Sequence, residues 1–83
     1  MVFFALTRSG YEDFKRHFDP HASVTLWVNK DVLSDSELVE VRAAGLSVTN
    51  FTRPIDIADE AAVDEAVDTI KQHHPNECIW LER

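Results

Sequence analysis

Residues 2–10 read VFFALTRSG, and the first five of them are apolar without a break. A strand with one face in water alternates apolar and polar residues, whereas an uninterrupted apolar run is typical of a strand buried on both faces. The run stops at Thr7 and Arg8, where a polar turn can lead into a helix. We therefore expect residues 2–6 to form an interior strand around which the rest of the chain is arranged.

Three later segments, at residues 24–28, 46–51 and 78–81, also have the composition of strands. Helical patterns separate them, and no hairpin signal is present, so the strands should be parallel and joined by right-handed crossovers. We expect residues 1–83 to form a single three-layer α/β domain, βαβαβαβ, in which a four-stranded, mainly parallel sheet carries helices on both faces. Two strand orders fit. The polar third strand suits an edge and favours 3-2-1-4, whereas the frequency of small 2-1-3-4 domains favours the other order.

The first helix begins with a possible capping box, since Ser9 and Glu12 have its S-x-x-E spacing. We expect it to end at Asp19-Pro20, because the residue before a proline is disfavoured in the α conformation. One face of this helix carries aromatic residues at helical spacing, namely Tyr11, Phe14 and Phe18.

The second helix has the strongest local signal in the chain. Ser34 and Glu37 form another capping box, and Leu33 and Leu38 flank it as a hydrophobic staple. The residues predicted to be buried on this helix are Leu38, Val39 and Val41, and Gly45 supplies the left-handed residue that ends it.

The third helix is predicted over residues 58–74, with Pro75 after it. Its apolar face comprises Val63, Ala66, Val67 and Ile70. Trp27 and Trp80 lie on strands, and we expect each to bury its ring against a helix with its N–H hydrogen-bonded. A tryptophan that is exposed instead would mark a partner surface.

The net charge of −7 is concentrated in residues 56–68, which contain six acidic residues and no basic one. This distribution argues against nucleic-acid binding, which needs a basic surface. No segment approaches the ~20 apolar residues that span a bilayer, so no membrane association is expected. Cys78 is the single cysteine, which excludes an internal disulfide and favours a reducing, cytoplasmic location.

Basic residues follow the first three strands, and this pattern predicts an anion-binding rim. In open parallel sheets, ligands bind beyond the carboxyl ends of the strands, where helix N-termini also favour anions. A phosphate or carboxylate could be held there by Arg8, Ser9, Gly10, Lys30 and Arg53. Alternatively, these cations are solvated and pair weakly with nearby acids.

The acidic helix offers a second hypothesis, in which a basic partner protein docks on its exposed carboxylates. The residues of this candidate surface are Asp59, Glu60, Asp64, Glu65 and Asp68. No nucleophile, base and orienting group can be placed together, no metal-ligand set is complete, and no cofactor motif is present. We therefore expect a non-catalytic binding or regulatory module that uses the acidic helix, or self-association through an edge strand. A small-anion site or minor enzyme at the rim is the alternative.

Overall fold

A computed structural model describes residues 1–17 and 24–83. Within them the chain forms four strands and three helices in the expected alternating order. The strands are β1 (Val2–Ala5), β2 (Thr25–Val28), β3 (Ser47–Asn50) and β4 (Ile79–Glu82). The helices are α1 (Arg8–His17), α2 (Asp35–Ala43) and α3 (Glu60–His73). The predicted α/β class is therefore confirmed.

All the strands of the sheet are parallel, and their order is β3-β2-β1-β4. This is the 3-2-1-4 alternative. Each residue of β1 is buried, and Phe3 lies between Leu26 of β2 and Trp80 of β4. The uninterrupted apolar run at the start of the chain thus forms an interior strand, and the polar β3 forms an edge.

Buried side chains form two clusters that divide the residues of β1 alternately. Phe3 and Ala5 belong to a cluster that contains buried residues of α1 and α2. Val2 and Phe4 belong to a second cluster, which contains the buried residues of α3. Because successive side chains of a strand point to opposite faces, we infer that α1 and α2 cover one face of the sheet and α3 covers the other.

The start of α1 differs from the prediction, because Thr7 caps this helix and Ser9 does not. The Gly10 amide donates to Thr7 Oγ1 at 3.1 Å, whereas Glu12 pairs with Arg8 and Lys15. Glu12 therefore does not complete a capping box. The predicted contribution of Phe18 and the predicted helix end at Asp19-Pro20 lie outside the described residues.

The capping box of α2 is confirmed in both directions. Ser34 Oγ accepts the Glu37 amide at 3.2 Å, and Glu37 Oε1 accepts the Ser34 amide at 3.1 Å. Gly45 follows the helix with φ of 94°, as the left-handed closing residue should. The predicted burial of Val39 is wrong, because this side chain is 67% exposed. It follows the buried Leu38 by one position, so it is rotated by about 100° around the helix axis, away from the sheet.

The two tryptophans also differ from the prediction. Trp27 is buried among aromatic rings, including Phe51 and His73, but its Nε1–H has no hydrogen-bond partner among the described residues. Trp80 has the opposite arrangement. Its Nε1–H donates to Glu82 at 3.0 Å, while the side chain is 49% exposed because β4 is an edge strand.

In α3, Val63, Ala66 and Ile70 are buried as predicted, and Asp59 caps the first turn. None of the helices formed by residues 1–17 and 24–83 is both long enough and apolar enough to cross a membrane.

Candidate functional site

The carboxyl ends of the strands are connected by Asn29, which directly follows β2. Its Nδ2 donates to the carbonyl oxygens of Leu6 at 3.1 Å and Ile55 at 2.9 Å. Its Oδ1 accepts the amides of Lys30 at 2.8 Å and Ile55 at 2.9 Å. Asn29 is buried, and these four bonds use both its donors and its acceptor oxygen. One side chain therefore holds the end of β1 and the β3–α3 connection against the end of β2.

Arg8, the first predicted rim residue, is engaged by carboxylates. Its Nη1 and Nη2 bind the two carboxylate oxygens of Glu37 at 2.8 and 2.7 Å, and its Nε binds Glu12 at 3.1 Å. Nη1 also donates to the Val32 carbonyl at 3.1 Å. The Arg8 hydrogen bond, followed by that of the Ser34 amide, lowers the pKa of Glu37 to about 2. This bidentate ion pair between Arg8 and Glu37 joins the start of α1 to the start of α2.

The other residues near the start of α1 and the end of β2 lie in different surroundings. Ser9 is exposed in the first turn of α1, whereas Gly10 is buried and donates its amide to Thr7. A Cβ at Gly10 would come within 3.1 Å of the Glu82 carbonyl oxygen, so glycine allows α1 to lie close to β4. Lys30 is exposed, and its Nζ lies 3.5 Å from Asp31.

Arg53, the remaining rim residue, lines a groove of about 600 Å³ between α3 and the connection that precedes it. Glu65 and Asp68 line the same groove. The apolar part of its lining includes Phe51, Pro54, Ile55, Ala62 and Ala66, and Thr69 and Gln72 complete it. Arg8 and Lys30 do not contribute, so the groove combines one predicted rim residue with two residues of the predicted acidic surface.

The acidic surface lies on the solvent side of α3, and each of its five carboxylate residues is exposed. Glu60, Asp64 and Asp68 follow each other at four-residue spacing and therefore form one row along the helix. Glu65 is rotated from Asp68 towards the groove that both residues line. Asp59 accepts the amides of Ala61 and Ala62 through Oδ1.

Ion pairing distinguishes the acidic surface from the rim. In the parts of the chain that the structure describes, none of the five α3 carboxylates forms an ion pair, and neither does Arg53. Arg8, by contrast, is bound by two carboxylates. Within residues 1–17 and 24–83, the carboxylates of the acidic surface are thus not neutralised by ion pairs, whereas the most central cation of the rim already has anionic partners.

Residues 1–17 and 24–83 contain no group of three or more histidine, cysteine, aspartate or glutamate side chains arranged to hold a metal ion. No protein-family model matches the chain, and no curated protein or solved structure is significantly similar to it. Any functional conclusion therefore rests on the residues themselves.

Two features of the site were missed from the sequence. Asn29 was not among the predicted site residues, although a single asparagine after an apolar strand is a residue type that can satisfy several backbone groups at once. The groove depends on how the connection at residues 51–59 folds back on α3, and no local pattern signals this contact.

Proposed function

We propose that this protein is a non-catalytic binding module that holds a basic segment of a partner protein along α3. The observation that carries the proposal is the groove in which Glu65 and Asp68 stand beside an apolar lining that includes Phe51 and Ile55. Arg53 is the one cation of this lining, so the two acids leave the groove with a net negative charge. Interfaces that bind tightly combine a desolvated apolar contact with a polar rim. This groove offers both kinds of contact on one side of the helix.

Charge specifies the kind of partner. Glu60, Asp64 and Asp68 extend the negative surface beyond the groove, so a partner segment lying along α3 would meet carboxylates over most of its length. A segment with several lysine or arginine residues and at least one apolar side chain fits this arrangement. Attraction between opposite charges would mainly accelerate association, and the apolar contact would slow dissociation.

The anion-binding rim is the weaker alternative. A phosphate that bound Arg8 would have to displace Glu37, which contacts the guanidinium through both carboxylate oxygens. The Gly10 amide, a second predicted anion ligand, already donates a hydrogen bond to Thr7 Oγ1. Lys30 and Arg53 remain exposed, but no contact between them and the start of α1 supports a shared site.

The cytoplasm is the proposed location. Cys78 is exposed and unpaired with another cysteine, a state that a reducing compartment maintains.

The proposal can be tested by affinity capture from extracts of the native cells, with the captured proteins quantified by mass spectrometry. The test variant carries Glu65→Gln and Asp68→Asn, which neutralise the acidic side of the groove. The matched control carries Asp35→Asn and Glu40→Gln, which remove the same charge from exposed positions of α2. We expect the wild type and the control to capture the same basic protein, and the α3 variant to retain at least about tenfold less of it.

Salt provides a second measurement on the same complex. At about 1 M NaCl the Debye length falls to about 3 Å, so binding that depends on the α3 carboxylates should be largely lost. Capture of the same proteins by the wild type and both variants, or capture that is unchanged by salt, would contradict the proposed function.

A further inference from the structure

The two edges of the sheet differ in how their backbone groups are protected. At the β3 edge, Arg42 Nη2 donates to the carbonyl oxygen of Val48 at 3.0 Å, and the neighbouring Ser47 and Thr49 are polar. Natural sheets use charged side chains and polar residues in this way to prevent pairing between edges. The β4 edge has the sequence Ile-Trp-Leu-Glu, which is mainly apolar.

The hydrogen bonds to β1 identify which groups of β4 face outward. The Val2 amide donates to Cys78 at 2.8 Å, and the Leu6 amide donates to Glu82 at 2.9 Å. Because backbone groups alternate in direction along a strand, Ile79 and Leu81 point their N–H and C=O groups away from β1. In the described residues, nothing forms a hydrogen bond to these four outward groups.

We propose that β4 pairs antiparallel with β4 of a second copy of this chain, around a two-fold axis that passes beside Trp80. Ile79 then lies opposite Leu81 of the second copy, and Leu81 lies opposite its Ile79. Both are hydrogen-bonded pairs, and together they use all four outward groups of each strand. The contact is isologous, as expected for a closed dimer.

Charge complementarity selects this register from the others that the backbone allows. With the axis at Trp80, Glu77 lies opposite Arg83 of the second copy, and Arg83 lies opposite its Glu77. The Glu77 carboxylate also contacts the Met1 amino group at 2.9 Å and His74 Nδ1 at 2.7 Å within its own chain, so Arg83 would join an existing cluster of charges. An axis at Ile79 would place Glu77 opposite Leu81, and an axis at Leu81 would place Ile79 opposite Arg83. An axis between two residues would place an outward-facing residue of one β4 strand opposite an inward-facing residue of the other. The backbone hydrogen bonds between the two strands could then not form.

Side chains on both faces of the sheet fit the same register. Trp80 lies on the face of Phe3, with ring centroids 6.1 Å apart, and its 49% exposed side chain would meet Trp80 of the second copy in a non-hydrogen-bonded pair. Ile79 and Leu81 pack partly against the other cluster, so their cross-strand pairs would extend it. Aromatic and aliphatic pairs across neighbouring strands stabilise a sheet.

The oligomeric state tests the proposal directly. By sedimentation equilibrium the wild type should form a dimer, and Trp80→Lys should raise the dimer dissociation constant by at least about tenfold, or about 1.4 kcal/mol. Val39→Lys is the matched control, because it makes the same kind of change at an apolar side chain that is 67% exposed on α2. This control should leave the dimer intact. Circular dichroism and thermal unfolding of each variant distinguish loss of the dimer from loss of the fold.

The register is tested by exchanging charges. Arg83→Glu should weaken the dimer by placing two acids opposite each other, and Glu77→Arg combined with Arg83→Glu should restore it. Because Glu77→Arg also removes the contacts of Glu77 with Met1 and His74, Glu77→Arg alone is the reference for the double variant, and it should weaken the dimer by placing two cations opposite each other. A wild type that is monomeric at about 100 μM, a dimer that Trp80→Lys leaves unchanged, or a double variant no tighter than Arg83→Glu would overturn the proposal. None of these changes lies on α3, so the result is independent of the proposed partner binding.

Discussion

The side-chain amide of Asn29 forms two hydrogen bonds with the backbone of Ile55, donating to its carbonyl oxygen and accepting its amide, each at 2.9 Å. These two hydrogen bonds resemble the bonds that a residue of one β-strand exchanges with a neighbouring strand. Ile55 lies outside the strands, however, because it follows the last residue of β3 by five positions. It fixes the connection that forms one side of the α3 groove. The geometry of the groove therefore depends on a buried residue that does not line it.

We expect Asn29→Ala to lower the free energy of unfolding by about 2–4 kcal/mol, because it leaves a buried carbonyl of Leu6 and partly buried backbone groups of Ile55 without partners. Urea unfolding measures this loss. Asn76→Ala, at an exposed position, should change stability by less than about 0.5 kcal/mol. Similar losses for the two variants would show that the Asn29 bonds contribute little.

Gly10 provides a test of the packing between α1 and β4. Alanine at a helical position normally stabilises by about 1 kcal/mol relative to glycine. At position 10, however, its Cβ would lie 3.1 Å from the Glu82 carbonyl oxygen and 3.2 Å from Glu82 Cβ. We expect Gly10→Ala to destabilise the protein by about 1 kcal/mol, because the overpacked strand or helix must shift. Ser9→Ala, one position earlier and exposed, should be neutral or slightly stabilising.

The Arg8–Glu37 pair predicts a pH dependence of stability. The pKa of Glu37 is lowered from 4.5 to about 2, so the ionised form contributes stability that is fully present above about pH 4.5. That contribution is lost as the pH falls towards 2. Glu37→Gln should therefore lower the free energy of unfolding at pH 7. It should also reduce the loss of stability between about pH 4.5 and 2, and urea unfolding at several pH values measures both effects. Glu40→Gln on the same helix should leave the slope unchanged, and an equal effect of both variants would contradict the assignment to Glu37.

A phosphate titration distinguishes the two functional proposals. Because the Glu37 carboxylate is bound to the Arg8 guanidinium, millimolar phosphate should leave the amide resonances of residues 7–10 unshifted in the wild type. The same titration of Glu37→Gln, in which Arg8 loses its main partner, should produce shifts in that segment. Saturable shifts in the wild type would instead support the anion-binding rim.

The acidic row on α3 should reduce the stability of the helix. Like charges at four-residue spacing, as in Glu60, Asp64 and Asp68, each oppose helix formation by about 0.2–0.5 kcal/mol. In Asp64→Lys, the repulsion of residue 64 from Glu60 and Asp68 becomes attraction. This variant should therefore have a higher free energy of unfolding in low salt, and it should capture less of the partner. Asp64→Asn separates the effects, since it removes the repulsion without adding a cation. A loss of stability in both variants would contradict this account.

Prediction from the sequence was most successful where a local pattern of residues is typical of one structural environment, such as a buried strand or the first turn of a helix. The unbroken apolar run identified β1 as interior. The polar residues of β3 favoured the edge position that this strand has, although the order 2-1-3-4 was left open. The capping box of α2 was also correct, because its two hydrogen bonds join Ser34 and Glu37 within one turn, and the additional contact of Glu37 with Arg8 leaves both of them in place. These features depend on local patterns or on burial alone.

The missed features depend on contacts between distant residues. Thr7 and Ser9 can both cap a helix, and the position of α1 is constrained by the contact of Gly10 with Glu82 at the opposite end of the sequence. The exposure of Trp80 follows from the place of β4 at an edge, which both expected strand orders gave it, so the burial of Trp80 was wrongly predicted from its aromatic side chain. Likewise, cations at strand ends predicted a shared rim, but the prediction could not include the acid that Arg8 meets on α2.

The position of β1 has a consequence for biosynthesis. Val2 lies between Thr25 and Ile79, so β2 can cover one side of β1 early, whereas β4 can cover the other side only after the residues between Val2 and Ile79 have been translated. Until then, the most apolar segment of the chain has an open side on the ribosome, where it is a target for chaperones and for association with other nascent chains. The sheet is therefore complete only after β4 emerges from the ribosome, and a chain truncated before Ile79 cannot complete its fold.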